Sequence, residues 1–204
     1  MAGTYRIPRV PASDRLTHRV RRACYDGREP AREAGVSDAP RSEPEPLLVV
    51  TTGGTIDKVY FDAKSNYEVG ESVVGDLLRQ AQVNVPFEML AVLRKDSLEI
   101  TDADRASIRE RIAARPERRV VVTHGTDTMT ETAKALAGLG QRTIVLTGSL
   151  SPARFAQTDA VFNVGMAVAA VQALPPGVYI VMNGQIFPGD GVRKDRERNR
   201  FVRH

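Results

Sequence analysis

Two short stretches gather side chains that could run a reaction. Thr52-Gly53-Gly54-Thr55 sets a threonine after a glycine pair, and His124-Gly125-Thr126-Asp127-Thr128 gathers hydroxyls and a carboxylate beside another glycine. A hydroxyl that attacks a carbonyl carbon needs a nearby group to take its proton and fixed dipoles to meet the new charge. Glycines let the backbone approach a ligand closely, which makes Thr55 a candidate for that hydroxyl. Spacing alone also allows a plain strand-ending turn with Thr55 as its last hydrogen-bonding residue. Thr126 or Asp127 can cap a following helix, but a cap accounts for only one of them. A carboxylate and a hydroxyl at that place can orient a water or hold an amino group, while helix amides receive an anion. Metal chemistry is not indicated: His18, His124, His204 and the single Cys24 are scattered, without ligand spacing. The glycines lack the spacing of a dinucleotide fingerprint, and no glycine-rich loop ends in the lysine and hydroxyl of a phosphate-binding loop. No metal and no cofactor is therefore expected.

These residues need elements to carry them. Leu47–Val50 is a short apolar run ending in Thr51-Thr52-Gly53-Gly54, which reads as a buried strand stopping in a tight turn. Arg119–Thr123, Thr143–Thr147 and Val178–Met182 repeat the pattern, each followed by a residue pair containing glycine. Their apolar residues run together instead of alternating, as in parallel strands covered on both faces. Helix periods fall between them: Val73, Val74, Leu77, Leu78 and Ala81; Asp102–Arg115, with Thr101 or Asp102 as cap; Thr128–Leu139, ended by Gly138 or Gly140; and Thr158–Leu174, stopped by Pro175-Pro176. The segment 56–67, with Val59, Phe61 and Tyr67, fits neither scheme and reads as a hairpin or flap over the sheet edge. Strands alternating with helices of this length predict an α/β fold, a three-layer α/β/α arrangement with a mainly parallel, Rossmann-like sheet. Ligands bind outside the carboxyl ends of such strands, which gathers Thr52, Thr55, Asp96, Ser97, Thr126, Asp127, Ser149 and Asn183 on one rim.

The bulk numbers bound the rest. A chain of 204 residues fits one compact domain. We read residues 1–46, rich in Arg, Pro, Ala and acids, as a flexible extension with at most a helical turn from Leu16 to Cys24; an over-extended translation start would look the same. Residues 47–204 form the expected catalytic domain. The net charge is +4, but the arginines are spread and no aromatics interleave with them, so no nucleic-acid partner is expected. No apolar run is long enough to span a bilayer, so no membrane partner is expected either. The first thirty residues lack the apolar segment of a secretory signal, and Asp14, Asp26, Glu29 and Glu33 break the pattern of a transit peptide. With one cysteine, the expected address is cytoplasmic.

Together the stretches resemble the bacterial-type L-asparaginase family, which uses threonine as nucleophile. Its first signature matches Thr52-Gly53-Gly54-Thr55-Ile56, and the resemblance implies that Thr55 is the nucleophile. A flap tyrosine of the family falls on Tyr67 within Lys64-Ser65-Asn66-Tyr67-Glu68-Val69-Gly70. Its substrate-holding serine falls on Ser97 in Asp96-Ser97-Leu98-Glu99-Ile100-Thr101. The second signature is intact from His124 to Met129, which implicates Thr126 and Asp127, and the lysine that partners them falls on Lys194. The implied catalytic set is thus Thr55, Tyr67, Thr126, Asp127 and Lys194. The implied substrate-binding set is Ser97, Asp96, Gly54, Gly125 and Asp127. The likeness runs from about Leu47 to Lys194 and is closest to the short, single-domain members. Longer members carry a second α/β domain, from which a neighbouring subunit lends an acidic residue to the substrate amino group. Its absence bears on substrate affinity more than on the nucleophile.

The resemblance implies hydrolysis of the asparagine side-chain amide through an acyl-enzyme on Thr55, with aspartate and ammonia as products. Tyr67, or Lys194 through Thr126, receives the hydroxyl proton if burial lowers its pKa; a neutral Lys194 requires that no carboxylate dominate it. Asp127 is suited to the substrate ammonium. Amides around Gly54–Thr55 and Gly125–Thr126, with the Thr126 hydroxyl, would meet the oxyanion. If Thr55 is a turn residue, Thr126 is the alternative nucleophile. One methylene separates asparagine from glutamine and is worth only about 1–3 kcal/mol, so a hydrolase for glutamine or another small amide is an alternative reading. A protein that binds the amino acid without turnover is a second. The expected partner is a small amino-acid amide. A homodimer or homotetramer is expected from the likeness and from the apolar run Phe162, Val164, Val168 and Val171.

Overall fold

The computed structural model describes residues 44–61 and 66–203, with the backbone alone at 60, 61, 66 and 67. The expected extension lies outside the described residues as far as residue 43. Along the chain run β1 (Leu47–Gly53), a 3-10 turn (Thr55–Asp57), β2 (Lys58–Phe61), β3 (Asn66–Val69), α1 (Val74–Gln80), β4 (Phe87–Lys95), a second 3-10 turn (Ser97–Glu99) and α2 (Asp102–Ala113). β5 (Arg119–Thr123), α3 (Met129–Ala135), β6 (Thr143–Thr147), α4 (Ala160–Ala173), β7 (Gly177–Met182), β8 (Gln185–Pro188), β9 (Val192–Asp195) and β10 (Arg200–Arg203) complete it.

Alternate residues of the apolar strands serve two cores, which makes the fold three-layered. Leu48 and Val50 of β1, with Val120, Val122, Ile144, Leu146 and Ile180, face Ile108 and Ile112 of α2 and Met129 and Ala133 of α3. Leu47 and Val49, with Val121, Val145 and Val181, face Val74 and Leu78 of α1 and Ala160, Val164 and Val168 of α4. Successive strand residues point to opposite faces, so a continuous apolar run is required when both faces are covered. The main sheet has the order β4-β1-β5-β6-β7-β8. All its pairs are parallel except β7 with β8, which run antiparallel. The chain leaves β1 toward β4 and then returns to β5 on the other side of β1. That reversal opens a crevice at the carboxyl ends of β4, β1 and β5, where an open α/β sheet takes its ligand.

Within the segment expected to form a hairpin or flap, β2 and β3 pair antiparallel. Thr101 is the cap of α2, through a reciprocal box in which its hydroxyl accepts from Asp104 N and the Asp104 carboxylate accepts from Thr101 N. The helix predicted over 128–139 is shorter, Met129–Ala135. Arg109 of α2 donates to the carbonyls of Ala135 and Ala137, and these contacts satisfy the helix end early; Gly138 follows in the left-handed region. α4 is apolar because it is core: Val164, Val168 and Val171 are buried, whereas Phe162 and Val161 are 60% and 53% exposed. The apolar run read as a possible subunit contact is therefore mostly sheet-facing.

Four strands were not legible. β4 is the edge strand, and its burial neither alternates nor runs on. β8, β9 and β10 are four residues each, and β9 and β10 are rich in arginine and other charged residues. Among the described residues no helix is long and apolar enough to cross a membrane.

Candidate active site

Three neighbouring strand ends deliver most of the candidate residues. β4 ends before Asp96 and Ser97, β1 before Gly54 and Thr55, and β5 before His124 to Asp127. Gly54 and Gly125 let these turns touch. Gly54 has φ 86, and a Cβ there would run into the backbone of Gly125; a Cβ on Gly125 would lie 2.5 Å from Ser97 Oγ. Side chains at either place would push the three turns apart. Thr128 Oγ1 donates to Ser97 O at 2.7 Å, and Gly54 N to Lys95 O at 2.9 Å, which closes the same seam with hydrogen bonds.

The strongest polar contact in the site comes from a distant part of the chain. Lys194 Nζ donates to Thr126 Oγ1 at 2.7 Å and to Asp127 Oδ1 at 2.8 Å. Lys194 sits on β9 opposite Phe201 of β10, and Phe201 and Val192 are buried in the core on the α2–α3 side. Asn183 and Gly184, both at positive φ, make the two-residue turn between β7 and β8. The Asn183 side chain then accepts from Phe201 N at 3.1 Å. This chain of contacts seats the hairpin, and the hairpin seats the lysine. The Lys194 side chain is 11% exposed and that of Asp127 34%, so a hydrogen-bonded ion pair lies at the mouth of the crevice. Lys194 therefore has a carboxylate partner within hydrogen-bond distance. The charged pair makes Thr126 Oγ1 an acceptor and leaves its own proton free to donate.

Thr55 opens its 3-10 turn, is half-buried, and its hydroxyl has no partner among the described residues. The N–H groups of Thr55, Gly125 and Thr126 likewise have none among them, while that of Gly54 is taken by Lys95 O. The Gly54 N–H is thus engaged within the chain, and its missing side chain lets the turns pack. Tyr67 lies on β3 opposite Tyr60; its side chain is outside the described set.

Other predicted rim residues are spent on structure. Thr52 Oγ1 donates to Thr123 O, Ser149 Oγ to Ser151 O, and Asn183 anchors β10. Asp96 accepts from Leu98 N through Oδ1 and pairs with Lys58 through Oδ2 at 2.7 Å. Burial would raise its pKa, but the hydrogen bonds from Lys58 and Leu98 hold it below the usual carboxylate range. Both oxygens are thus engaged within the chain. Ser97 is buried against Gly125.

His124 had no role in the sequence reading beyond membership of the signature. It is fully buried; Nδ1–H donates to Gly125 O at 2.8 Å, and Nε2 accepts from the Thr132 hydroxyl at 2.8 Å. A carbonyl can only accept, which fixes this tautomer. Burial, aided by the charge of Arg105, pushes its pKa down to about 4, so the ring is neutral near pH 7. It pins the Gly125–Thr126 turn to α3. Asp57 was also missed; it is buried two residues after Thr55.

The family described as "Asparaginase, N-terminal" matches residues 46–201. A glutaminase-asparaginase of Acinetobacter glutaminasificans is 32% identical over 162 residues, covering 72% of this chain and 49% of that protein. The thermostable L-asparaginase of Thermococcus kodakarensis superposes with a TM-score of 0.68 at 28% identity, over 78% of this chain and 51% of its own. L-asparaginase I of Vibrio cholerae gives 0.69 at 26% identity, over the same shares of 78% and 51%. The chain spans about half the length of the curated relatives it matches.

Proposed function

Because the chain belongs to the asparaginase family, we propose that it hydrolyses the side-chain amide of L-asparagine, with Thr55 as nucleophile. The observation that carries this reading is the Lys194–Thr126–Asp127 contact set, seated on the turn that packs against the turn bearing Thr55. Turn formation alone gives no reason to bring a lysine from 68 residues away onto a threonine hydroxyl.

In this reading Thr55 Oγ attacks the amide carbon, and its proton is relayed by the Tyr67 hydroxyl toward the leaving nitrogen, since Lys194 Nζ is engaged by Thr126 and Asp127. The oxyanion is met by the Thr126 hydroxyl and by amides of Thr55 and the Gly125–Thr126 turn. Collapse expels ammonia, which takes the proton from Tyr67, and leaves a β-aspartyl ester on Thr55; water then releases aspartate. Asp127 Oδ2, not used by Lys194, binds the substrate ammonium, and Ser97 lines the base of the pocket. Asp96 acts at second hand, holding the Ser97 turn to Lys58. Gly54 and Gly125 allow the close packing of these turns.

Glutamine is the second reading, favoured by the glutaminase-asparaginase of Acinetobacter glutaminasificans among the relatives. The test is enzymatic ammonia release from L-asparagine, L-glutamine and small primary amides, by the parent and by Thr55→Val. The proposal expects asparagine to be preferred and Thr55→Val to lose nearly all turnover. Binding of asparagine by calorimetry with no ammonia would instead make this an amino-acid-binding protein. The reading extends to a homodimer or homotetramer in the cytoplasm, and light scattering on the purified chain tests the assembly.

A further inference from the structure

The turn that carries Thr55 is fastened on every side. Gly54 N donates to Lys95 O, Ala153 N to Ile56 O at 3.1 Å, and Gly70 N to Asp57 O at 2.9 Å. All of these use backbone carbonyls, which any residue supplies. One fastening is different: Asp57 Oδ1 accepts from Val73 N, at 3.2 Å, just ahead of α1. Asp57 is 1% exposed, Ser72 lies beside its carboxyl, and the charges facing it are Arg94 from β4 and Arg154 from the loop after β6. Burying a carboxylate costs more than these contacts return; its pKa is pushed up by burial to about 6 despite the polar contacts of Ser72 and Val73 and the two arginines. An apolar residue or an asparagine would be cheaper here if filling space were the only task.

We propose that Asp57 is a positioning residue for Thr55: its carboxyl ties the turn bearing the hydroxyl to Val73 at the start of α1, closing the base of the β2–β3 hairpin. It acts without touching substrate. The inference rests on the reading of Thr55 as nucleophile, and the tie itself is tested independently of turnover.

The full chain is compared with Asp57→Asn and Asp57→Ala by two measurements. The first is hydrogen exchange of the peptide spanning residues 70–74, followed by mass spectrometry and corrected for intrinsic rates. Opening this tie exposes the carboxyl to water, where its pKa falls back to 3.8. Opening therefore becomes easier as pH rises, by about tenfold between pH 5 and 7.5 in the parent. Asp57→Asn, which can still accept from Val73 N, is protected at both pH values with no such trend. Asp57→Ala exchanges at least tenfold faster, while the β5 peptide is unchanged. The second measurement is the pH profile of kcat and KM with L-asparagine. Asp57→Ala loses at least tenfold in kcat with KM within threefold, and Asp57→Asn restores kcat and abolishes the inflection near pH 6. Unchanged protection in Asp57→Ala, or a tenfold pH trend that persists in Asp57→Asn, overturns the inference whether or not the chain turns over asparagine. Absence of turnover in the parent, with protection behaving as described, overturns the nucleophile reading and leaves the tie standing.

Discussion

Two buried titratable groups pull the stability of this protein in opposite directions with pH, and removing one unmasks the other. His124 has a folded-state pKa near 4 against 6.5 in the open chain. A depressed histidine contributes its full stability above pH 6.5 and loses it as the pH falls toward 4, because the unfolded chain binds the proton first. From pH 8 to pH 4.5 that loss is about 2–3 kcal/mol. Asp57 stands at about 6 against 3.8. A raised carboxyl contributes fully below pH 3.8 and loses that contribution as the pH rises through 6, so acidification over the same range returns about 2 kcal/mol. In the parent the two nearly cancel. In Asp57→Asn only the histidine remains, and the variant should be more stable than the parent at pH 8 and should lose about 2–3 kcal/mol by pH 4.5. His124→Gln should show the reverse slope, gaining about 2 kcal/mol on acidification, on top of an overall loss of about 1–3 kcal/mol from the severed Gly125 and Thr132 bonds. With no tryptophan in the chain, urea unfolding at each pH is followed by far-UV circular dichroism. Parallel curves for the parent and Asp57→Asn would show that Asp57 does not carry the opposing pH dependence.

Lys194→Met removes the donor to Thr126 and the partner of Asp127; kcat should fall by about 100-fold or more in an ammonia assay, and a change below threefold would mean the lysine only props the β9–β10 hairpin. Gly125→Ala drives a methyl into Ser97, so it should cost about 1–3 kcal/mol in urea unfolding and depress kcat, because the three turns must spread.

The parallel strands were legible because burial on both faces demands uninterrupted apolar residues: Leu47 to Val50 had to be covered above and below. Rim residues Thr55, Ser97, Thr126 and Asp127 followed from the rule that ligands sit at strand carboxyl ends. Lys194 was placed by likeness alone; nothing in its own neighbourhood, Arg193 to Arg196, distinguishes it from a solvated basic run. Its partner contacts depend on Phe201 and Asn183, and such tertiary anchoring leaves no periodic trace. Thr52, Ser149 and Asn183 were over-read for the converse reason, since a polar residue at a strand end looks the same whether it faces a ligand or a neighbouring carbonyl. His124 and Asp57 escaped notice because burial of a polar group is a property of the fold and has no local pattern.

An acyl-enzyme is a covalent species, and mass spectrometry detects it directly. The full chain is mixed with excess L-asparagine, quenched in acid during turnover, and weighed intact and after digestion. With Thr55 as nucleophile, a fraction of the protein is heavier by one β-aspartyl group, lodged on the peptide containing Thr55 and missing in Thr55→Val. Ammonia release at a normal rate with no adduct in the parent and full activity in Thr55→Val would contradict it, as would an adduct mapped to Thr126.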